Sequence, residues 1–240
     1  MTGVVFVAGA SGVMGRRLCR LLVADGWKVT GTTRSQEKAA ALATLGVEPV
    51  IVDVFDAAAL NDAVARSKAN VVVHQLTDLS GVTDAAQLAE ARVRNARIRE
   101  IGTRHLVAAS VANGVARLVA QSIAFAYAPG PKPYLEDAPL NVADPARGVT
   151  ARGVASLEQQ VCAAPLVAIV LRYGRLYGPD TGSDAPPKGG PLHVDAAADA
   201  ARRAISHGAA GIYNVAEDDG AVSSQKARQE FGWSADFRLV

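Results

Sequence analysis

Three glycines near the start of the chain have a spacing that suits the binding of a phosphate-bearing ligand. Gly9, Gly12 and Gly15 follow the apolar run 4–8 and precede an apolar-periodic segment, so they lie where a buried strand passes into a helix. Glycine at such a turn adopts backbone angles that a side chain forbids, and it lets the backbone approach an anion closely. The N–H groups and the positive dipole end of the helix would then face a dinucleotide pyrophosphate. This loop predicts cofactor contacts from Gly9, Ser11, Gly12, Val13, Met14 and Gly15.

The end of the predicted second strand bears on the choice between NAD and NADP. Enzymes that prefer NAD usually place Asp or Glu about 20 residues beyond the glycines, where the carboxylate accepts from the ribose 2′-hydroxyl. Here the sequence offers Thr33, Arg34 and Ser35, with Lys38 on the next helix. A guanidinium can fork onto a phosphate, so NADP(H) is favoured over NAD(H). The alternative is an arginine that is simply solvated in its loop.

Strands alternate with helical patterns along the chain, which is typical of a parallel sheet with helices on both faces. Helices are predicted at 13–24, 57–67 and 84–113, and the arginines of the last helix are expected to be solvated. Two segments rich in proline and glycine, 128–150 and 179–191, are predicted to be loops, the first of them near the active site. Strands are predicted at 4–8, 28–33, 50–53, 71–74, 118–122, 167–172 and 212–215.

The composition is that of an ordinary soluble protein rather than of a nucleic-acid or membrane protein. The 240 residues are 50% hydrophobic, which allows a large core, and the net charge of +2 with mixed signs gives no large basic field. No apolar run is long enough for a membrane span, and the first strand begins too early for a signal peptide, so a cytoplasmic location is expected. Cys19 and Cys162 lack metal-ligand spacing, which predicts reduced core thiols and no metal site.

The glycine motif, in the form Val-Ala-Gly-Ala-Ser-Gly-Val-Met-Gly, resembles that of the short-chain dehydrogenase/reductase superfamily. It is most similar to the extended or atypical branch of NAD(P)-dependent epimerases, dehydratases and reductases. The resemblance covers nearly the whole chain, because landmarks of that family follow in order at 102–110, 117–122, 171–179, 193–195 and 211–215.

This resemblance implies an α/β fold of the Rossmann type, a doubly wound parallel sheet of about seven strands. It implies an NAD(P)-binding domain over residues 1–178 and a short C-terminal segment, 179–240, that completes the sheet and carries a small, reduced substrate lobe. The expected partner is a small-molecule substrate, and a homodimer is compatible with the family.

The resemblance also assigns cofactor contacts to the ends of the third, fourth and sixth strands. Asp53 matches the position that receives the adenine amino group, although a helix cap is the alternative and Asp56 is better placed for capping. His74 ends the fourth strand where the family's backbone passes under the cofactor, but it fits a buried core histidine equally well. The full set is Asp53, Val54, His74, Gln75, Leu76 and Tyr173.

The resemblance breaks at the catalytic residues. Family members move a proton with a tyrosine that is activated by a lysine, and no Tyr-x-x-x-Lys occurs in the sequence. Alignment places Thr150 and Val154 at those two positions and Ile123 at the position of the usual serine. A phenol without a neighbouring cation is a poor base at neutral pH, because its pKa is about 10. Tyr127 and Ser122 are the candidate replacements, and a packed aromatic residue with a satisfied hydroxyl is the alternative for Tyr127.

Three functions are compatible with these residues. The favoured one is an NADP(H)-binding, short-chain-dehydrogenase-like enzyme, an oxidoreductase or epimerase/dehydratase type, that lacks the usual catalytic pair. The alternatives are a cofactor-binding sensor or regulatory protein without turnover and a non-redox lyase or isomerase on the same fold. Residues 180–192 are too few to form a substantial lid. A smaller substrate is therefore expected, or a substrate bound across a dimer or a partner's surface, or no substrate.

Overall fold

The computed structural model describes residues 3–79, 84–145 and 148–239 and is built around a seven-stranded parallel sheet. The spatial order of its strands is β3-β2-β1-β4-β5-β6-β9, and β7 and β8 form a separate two-stranded sheet. The predicted Rossmann-type, doubly wound fold is therefore confirmed. The strands are β1 (Val4–Ala8), β2 (Lys28–Thr33), β3 (Glu48–Ile51), β4 (Val71–His74), β5 (Arg117–Ile123), β6 (Val167–Tyr173), β7 (Arg175–Tyr177), β8 (Pro191–His193) and β9 (Gly211–Val215).

Helices connect the strands and cover both faces of the large sheet. A π turn, Ile98–Gly102, joins α4 to α5, so the predicted helix 84–113 is not regular throughout. No helix in the described ranges is long and apolar enough to cross a membrane. The helices are α1 (Val13–Ala24), α2 (Gln36–Ala43), α3 (Ala57–Ser67), α4 (Ala85–Arg97), α5 (Thr103–Ala112), α6 (Gly148–Cys162), α7 (Val194–Ala204) and α8 (Gln225–Phe231).

Two hydrophobic cores lie on opposite faces of the sheet. Alternate strand residues enter each core, with Val5 and Val7 of β1 on one side and Phe6 on the other. The first core packs against α1 and α7, and the second against α3, α5 and α6. Burial on both faces explains why these strands are continuously apolar rather than alternating.

The predicted bounds of β3 and of the loop before α6 are wrong. β3 spans Glu48–Ile51 rather than residues 50–53, because Pro49 is part of the strand and pairs with Gly31. β3 is an edge strand of the sheet, where the missing proline N–H is tolerated. α6 begins at Gly148, so the last residues of the predicted loop 128–150 are helical.

Two predicted side-chain environments are also wrong. Cys162 is exposed at the end of α6, whereas Cys19 is buried as expected, and burial raises the pKa of its thiol to about 12. Arg99, one of the arginines expected in solvent, is only 5% exposed within the π turn. The periodicity of a regular helix does not place it there, because the π turn shifts the register of the side chains.

Candidate functional site

The glycine loop lies at the C-terminal edge of the sheet, beside the reversal of strand order between β1 and β4. Gly9 has φ of +87°, and a Cβ there would lie 2.7 Å from the Gln75 carbonyl oxygen. A Cβ on Gly15 would overlap the carbonyl oxygen of Gly9. A Cβ on Gly12 would meet only that same oxygen, at 3.4 Å. The fold itself therefore requires Gly9 and Gly15, whereas Gly12 borders open space at the start of α1.

The N-terminus of α1 is able to receive an anion. Gly12 is the N-cap residue and offers no side chain to the first turn. Among the described residues, no acceptor is bonded to the N–H groups of Val13, Met14 and Gly15. Free N–H groups at the positive end of a twelve-residue helix fit the pyrophosphate of a dinucleotide.

The end of β2 supports the glycine loop and leaves one cation exposed. Thr32 Oγ1 accepts a hydrogen bond from the Gly9 N–H at 3.0 Å, a contact that the sequence reasoning missed. Thr33 Oγ1 accepts from the Ser35 N–H, and the Ser35 hydroxyl caps α2. Arg34 is exposed and forms neither an ion pair nor a hydrogen bond within the described ranges. Its guanidinium is therefore available to a phosphate group.

The carboxylates of Asp53 and Asp56, which follow β3, have different roles. Asp56, not Asp53, is the N-cap of α3, accepting from the Ala59 N–H at 2.9 Å. Asp53 is exposed and accepts from the Phe55 N–H at 2.9 Å. Val54 is buried between them. One carboxylate oxygen of Asp53 thus stabilises the local turn, and the group faces solvent.

The residues after β4 divide between the interior and the open edge. His74 is 1% exposed, with Nε2 lying 3.0 Å from Thr103 Oγ1 and Nδ1 accepting from the Leu76 N–H. Burial lowers the pKa of His74 to about 4, and the nearby positive charge of Arg99 lowers it further. His74 is therefore a neutral core histidine at pH 7.

Gln75 and Tyr173 form a second interior contact. The Gln75 side chain donates to the Tyr173 hydroxyl at 3.4 Å, and burial raises the pKa of that phenol. The main chain of Gln75 and Leu76, in contrast, borders Gly9 closely. The main chain of Gln75 and Leu76 thus lies beside the glycine loop, while the side chains of His74 and Tyr173 are buried in the protein.

A cavity of about 150 Å³ lies beyond the end of β5. Its walls come from α4, the segment after β5, the first turns of α6, and β7. Thr150 lies in this wall, is half-buried, and its hydroxyl has no hydrogen-bond partner among the described residues. Val154, one turn further along α6, is completely buried. The lining residues are Arg92, Ile123, Phe125, Ala126, Tyr127, Asn141, Asp144, Thr150, Ala151 and Arg175.

The hydroxyls of Ser122 and Tyr127 are occupied by a buried polar network beside this cavity. Arg172 forms two hydrogen bonds to the Glu158 carboxylate, at 2.8 and 2.7 Å. Ser122 donates to Glu158 at 2.7 Å. Tyr127 accepts from Arg172 at 2.9 Å and donates to the Asn214 side chain. Burial raises the pKa of Tyr127 although the neighbouring Arg172 opposes that effect.

Several cavity residues were missed by the sequence reasoning. Phe125 and Tyr127 alternate along an extended segment, and that alternation alone predicts that both point to one side. Arg92 was grouped with the solvated arginines of its helix, because the sequence does not indicate which face of α4 borders a cavity. The other residues that were missed are Asn141, Asp144 and Arg175.

The chain belongs to the NAD dependent epimerase/dehydratase family, whose model matches residues 5–191. This family binds a nicotinamide cofactor, in agreement with the glycine loop. The chain is similar to a protein named 3-diazoavenalumate denitrifying reductase from Streptomyces sp.. The two are 42% identical over 243 residues, which cover 92% of this chain and 78% of the relative.

Solved structures of UDP-glucose 4-epimerases have the same fold at low sequence identity. The enzyme from Thermotoga maritima, with UDP-glucose, is 16% identical with a TM-score of 0.78, covering 98% of this chain and 94% of that one. The enzyme from Thermus thermophilus, in complex with NAD, is 21% identical with a TM-score of 0.72, covering 96% and 84%.

Gly12→Ala and Gly15→Ala form a matched pair that separates cofactor binding from folding. We expect Gly12→Ala to leave thermal stability nearly unchanged and to weaken NADPH binding roughly 10-fold or more, because its methyl group lies where the pyrophosphate approaches. Gly15→Ala should lower the free energy of unfolding by about 1–3 kcal/mol through overpacking against Gly9. Denaturant unfolding and fluorescence titration with NADPH measure the two effects. Normal NADPH binding by a folded Gly12→Ala protein would contradict the placement of the pyrophosphate.

Proposed function

We propose that this protein is an NADP(H)-dependent reductase that replaces the diazonium group of a small aromatic compound with hydrogen and releases N2. The observation that carries this proposal is the cavity beyond β5, whose wall holds Thr150 where the family resemblance leads us to expect a tyrosine. Four residues further on, where that resemblance leads us to expect a lysine, is the buried Val154. The name of the 42% identical relative, a denitrifying reductase of a diazo compound, supports the same reaction class.

The proposed reaction explains why the catalytic pair can be absent. When bound, reduced nicotinamide supplies a hydride, which forms the new C–H bond at the ring carbon while the C–N bond breaks and its electron pair leaves in N2. This replacement takes up no proton. The reduction of a carbonyl, in contrast, requires a proton on oxygen, which is the task of an acidic side chain. A threonine followed by a buried valine cannot perform that task, but neither residue needs to do so here.

The residues of the cavity are assigned to binding and to the exclusion of water. Ile123, Phe125 and Ala126 offer apolar contacts to a ring, and a ring that fills the cavity would displace water from it. Exclusion of water is essential, because water would attack the same ring carbon and give a phenol. The hydroxyl of Thr150, which has no hydrogen-bond partner among the described residues, is assigned to a hydrogen bond with a ring substituent.

Tyr127 and Ser122 are assigned to positioning rather than to proton transfer. Both hydroxyls are hydrogen-bonded within the Arg172–Glu158 network. Tyr127 also places its ring in the cavity wall and stacks on Tyr134, with centroids 5.0 Å apart. The network thereby holds the segment after β5 in the shape that the cavity requires.

Arg34 is assigned to the 2′-phosphate of NADP(H). Neither Thr33 nor Ser35 beside it carries the negative charge that would repel this phosphate, and the hydroxyls of both are used in local turns. The exposed guanidinium has no acidic partner among the described residues, so a phosphate would be its first partner.

Replacing Arg34 tests the choice of cofactor. Arg34→Ala should weaken NADPH binding by about 1–3 kcal/mol, roughly 5- to 150-fold, through the loss of charge-assisted hydrogen bonds. The affinity for NADH should not change, because NADH lacks the 2′-phosphate. Calorimetric titration of both proteins with both nucleotides measures this difference. Equal NADPH affinity in the two proteins would assign the site to NAD instead.

Replacing Tyr127 tests the reaction class. With benzenediazonium and NADPH, the wild-type protein should release N2 and oxidise NADPH at a rate that is flat between about pH 6 and 8, because no side chain must ionise. Tyr127→Phe should retain this rate within a few-fold while its melting temperature falls, since two buried hydrogen bonds are lost. Absorbance of NADPH and gas analysis measure turnover.

Two results would reject this assignment. Loss of turnover by a folded Tyr127→Phe protein would make Tyr127 the proton donor. Tight NADPH binding without turnover of diazonium salts, aldehydes, ketones or quinones would favour a cofactor-binding sensor.

A further inference from the structure

Among the described residues that line the cavity beyond β5, positively charged side chains outnumber negatively charged ones. Arg92 from α4, Arg175 from β7 and Asp144 from the segment before α6 line it together. Asp144 accepts a hydrogen bond from the Asn141 side chain at 3.2 Å. The Arg175 guanidinium lies over the Phe125 ring, 4.5 Å from its centroid. Two cations and one carboxylate favour an anionic ligand over a neutral one.

Arg92 differs from the other arginines of α4. Arg94 pairs with Asp78 at 3.3 Å, and Arg97 lies 4.4 Å from the ring centroid of Phe55. Arg92 is half-buried in the cavity wall but has neither an ion pair nor a hydrogen bond within the described part of the chain. A partly desolvated guanidinium without an acid is an effective site for a carboxylate, which it can bind through two parallel hydrogen bonds.

The packing of α4 against α6 fixes the position of Arg92. A Cβ on Gly153 of α6 would lie 3.0 Å from the Cα atom of Ala96 in α4, so the two backbones are in close contact there. Both helices follow strands of one parallel sheet and run in the same direction. One helical turn earlier, Arg92 is therefore level with Thr150. Arg92 lines the cavity together with Thr150 and with Ile123, the last residue of β5.

The size of the cavity suits a single aromatic ring. Its volume of about 150 Å³ is that of an engineered protein cavity that holds benzene. Phe125 and Tyr127 contribute aromatic surface to the wall, and Ile123 and Ala126 contribute aliphatic surface. A ring that fills this space lies beside Arg92, because Arg92 lines the same cavity.

We propose that Arg92 selects aromatic acids by binding a carboxylate on a substrate whose ring fills the cavity between Ile123 and Phe125. This inference rests on the proposed function for the reacting group at the other end of the ring. Arg92 is a specificity-determining residue in this assignment and takes no part in bond making or breaking.

Binding of unreactive acids tests the inference without turnover. Cinnamate and its uncharged amide, cinnamamide, are titrated calorimetrically into the protein saturated with NADP⁺. The wild-type protein should bind cinnamate roughly 10-fold or more tightly than cinnamamide, as expected for one charge-assisted pair. Arg92→Gln should abolish this preference, and Arg92→Lys should retain part of it because the charge remains but the fork is lost. Arg94→Gln, which removes an arginine outside the cavity on the same helix, should behave as wild type.

Equal affinity of the wild-type protein for the acid and the amide would overturn the inference, and so would a preference that survives in Arg92→Gln. Melting curves establish whether each variant is folded. If Arg92→Gln is not folded, Arg92→Lys is used in its place. The test of the proposed function is independent of this one, because its substrate, benzenediazonium, carries no carboxylate. If the wild-type protein reduces benzenediazonium but does not prefer cinnamate to cinnamamide, only the role of Arg92 is rejected. If it prefers cinnamate but does not reduce benzenediazonium, only the proposed reaction is rejected.

Discussion

The buried ion pair between Arg172 and Glu158 is the interaction on which the rest of the site depends. It joins β6 to α6 through two short hydrogen bonds, with both side chains almost completely removed from water. Removal of one partner would leave an uncompensated buried charge, which typically costs about 3–5 kcal/mol. The Glu158 carboxylate also accepts a hydrogen bond from the Ser122 hydroxyl, and Arg172 donates one to the Tyr127 hydroxyl. Tyr127 in turn donates to the side chain of Asn214 in β9. The ends of three strands are thereby tied to the segment that forms the cavity wall.

This network has a direct consequence for chemistry. The hydroxyls of Ser122 and Tyr127 are both hydrogen-bonded within the fold, and burial raises rather than lowers the pKa of Tyr127. The cavity also presents apolar and aromatic surface, two arginines, Asn141, Asp144, and the hydroxyl of Thr150, which has no partner among the described residues. Such a site can hold and orient a ring and exclude water, and it is suited to a hydride acceptor that needs no proton. The glycine loop can be retained while the acid–base pair is lost, because cofactor binding and proton transfer depend on different residues.

The sequence predicts the sheet well because the information is local. Buried apolar runs, the glycine turn after β1 and the helical periodicity of α1 each depend on neighbours within a few residues. The bound of β3 required knowledge that it is an edge strand, since only there is Pro49 tolerated. The exposure of Cys162 depends on where α6 ends at the surface, which composition does not specify.

The candidate site is less predictable because its contacts are long-range. Tyr127 and Asn214 are separated by 87 residues, and Ser122 and Glu158 by 36. No local pattern indicates that these side chains meet. The absence of Tyr-x-x-x-Lys was visible in the sequence, but the fact that Ser122 and Tyr127 have occupied hydroxyls required the packed structure. The position of Arg92 in a cavity wall likewise depends on how closely Gly153 lets α6 approach α4.

The central claim is that hydride reaches the substrate directly and that no solvent proton is incorporated. Deuterium transfer measures this claim most directly, with NADPH labelled at either face of C4 in ordinary water and with unlabelled NADPH in D2O. The account predicts one deuterium at the ring carbon that carried the diazonium group, from one of the two labelled cofactors only, and none from D2O. Deuterium from solvent at that carbon, equal transfer from both faces of NADPH, or a phenol as the main product would contradict it.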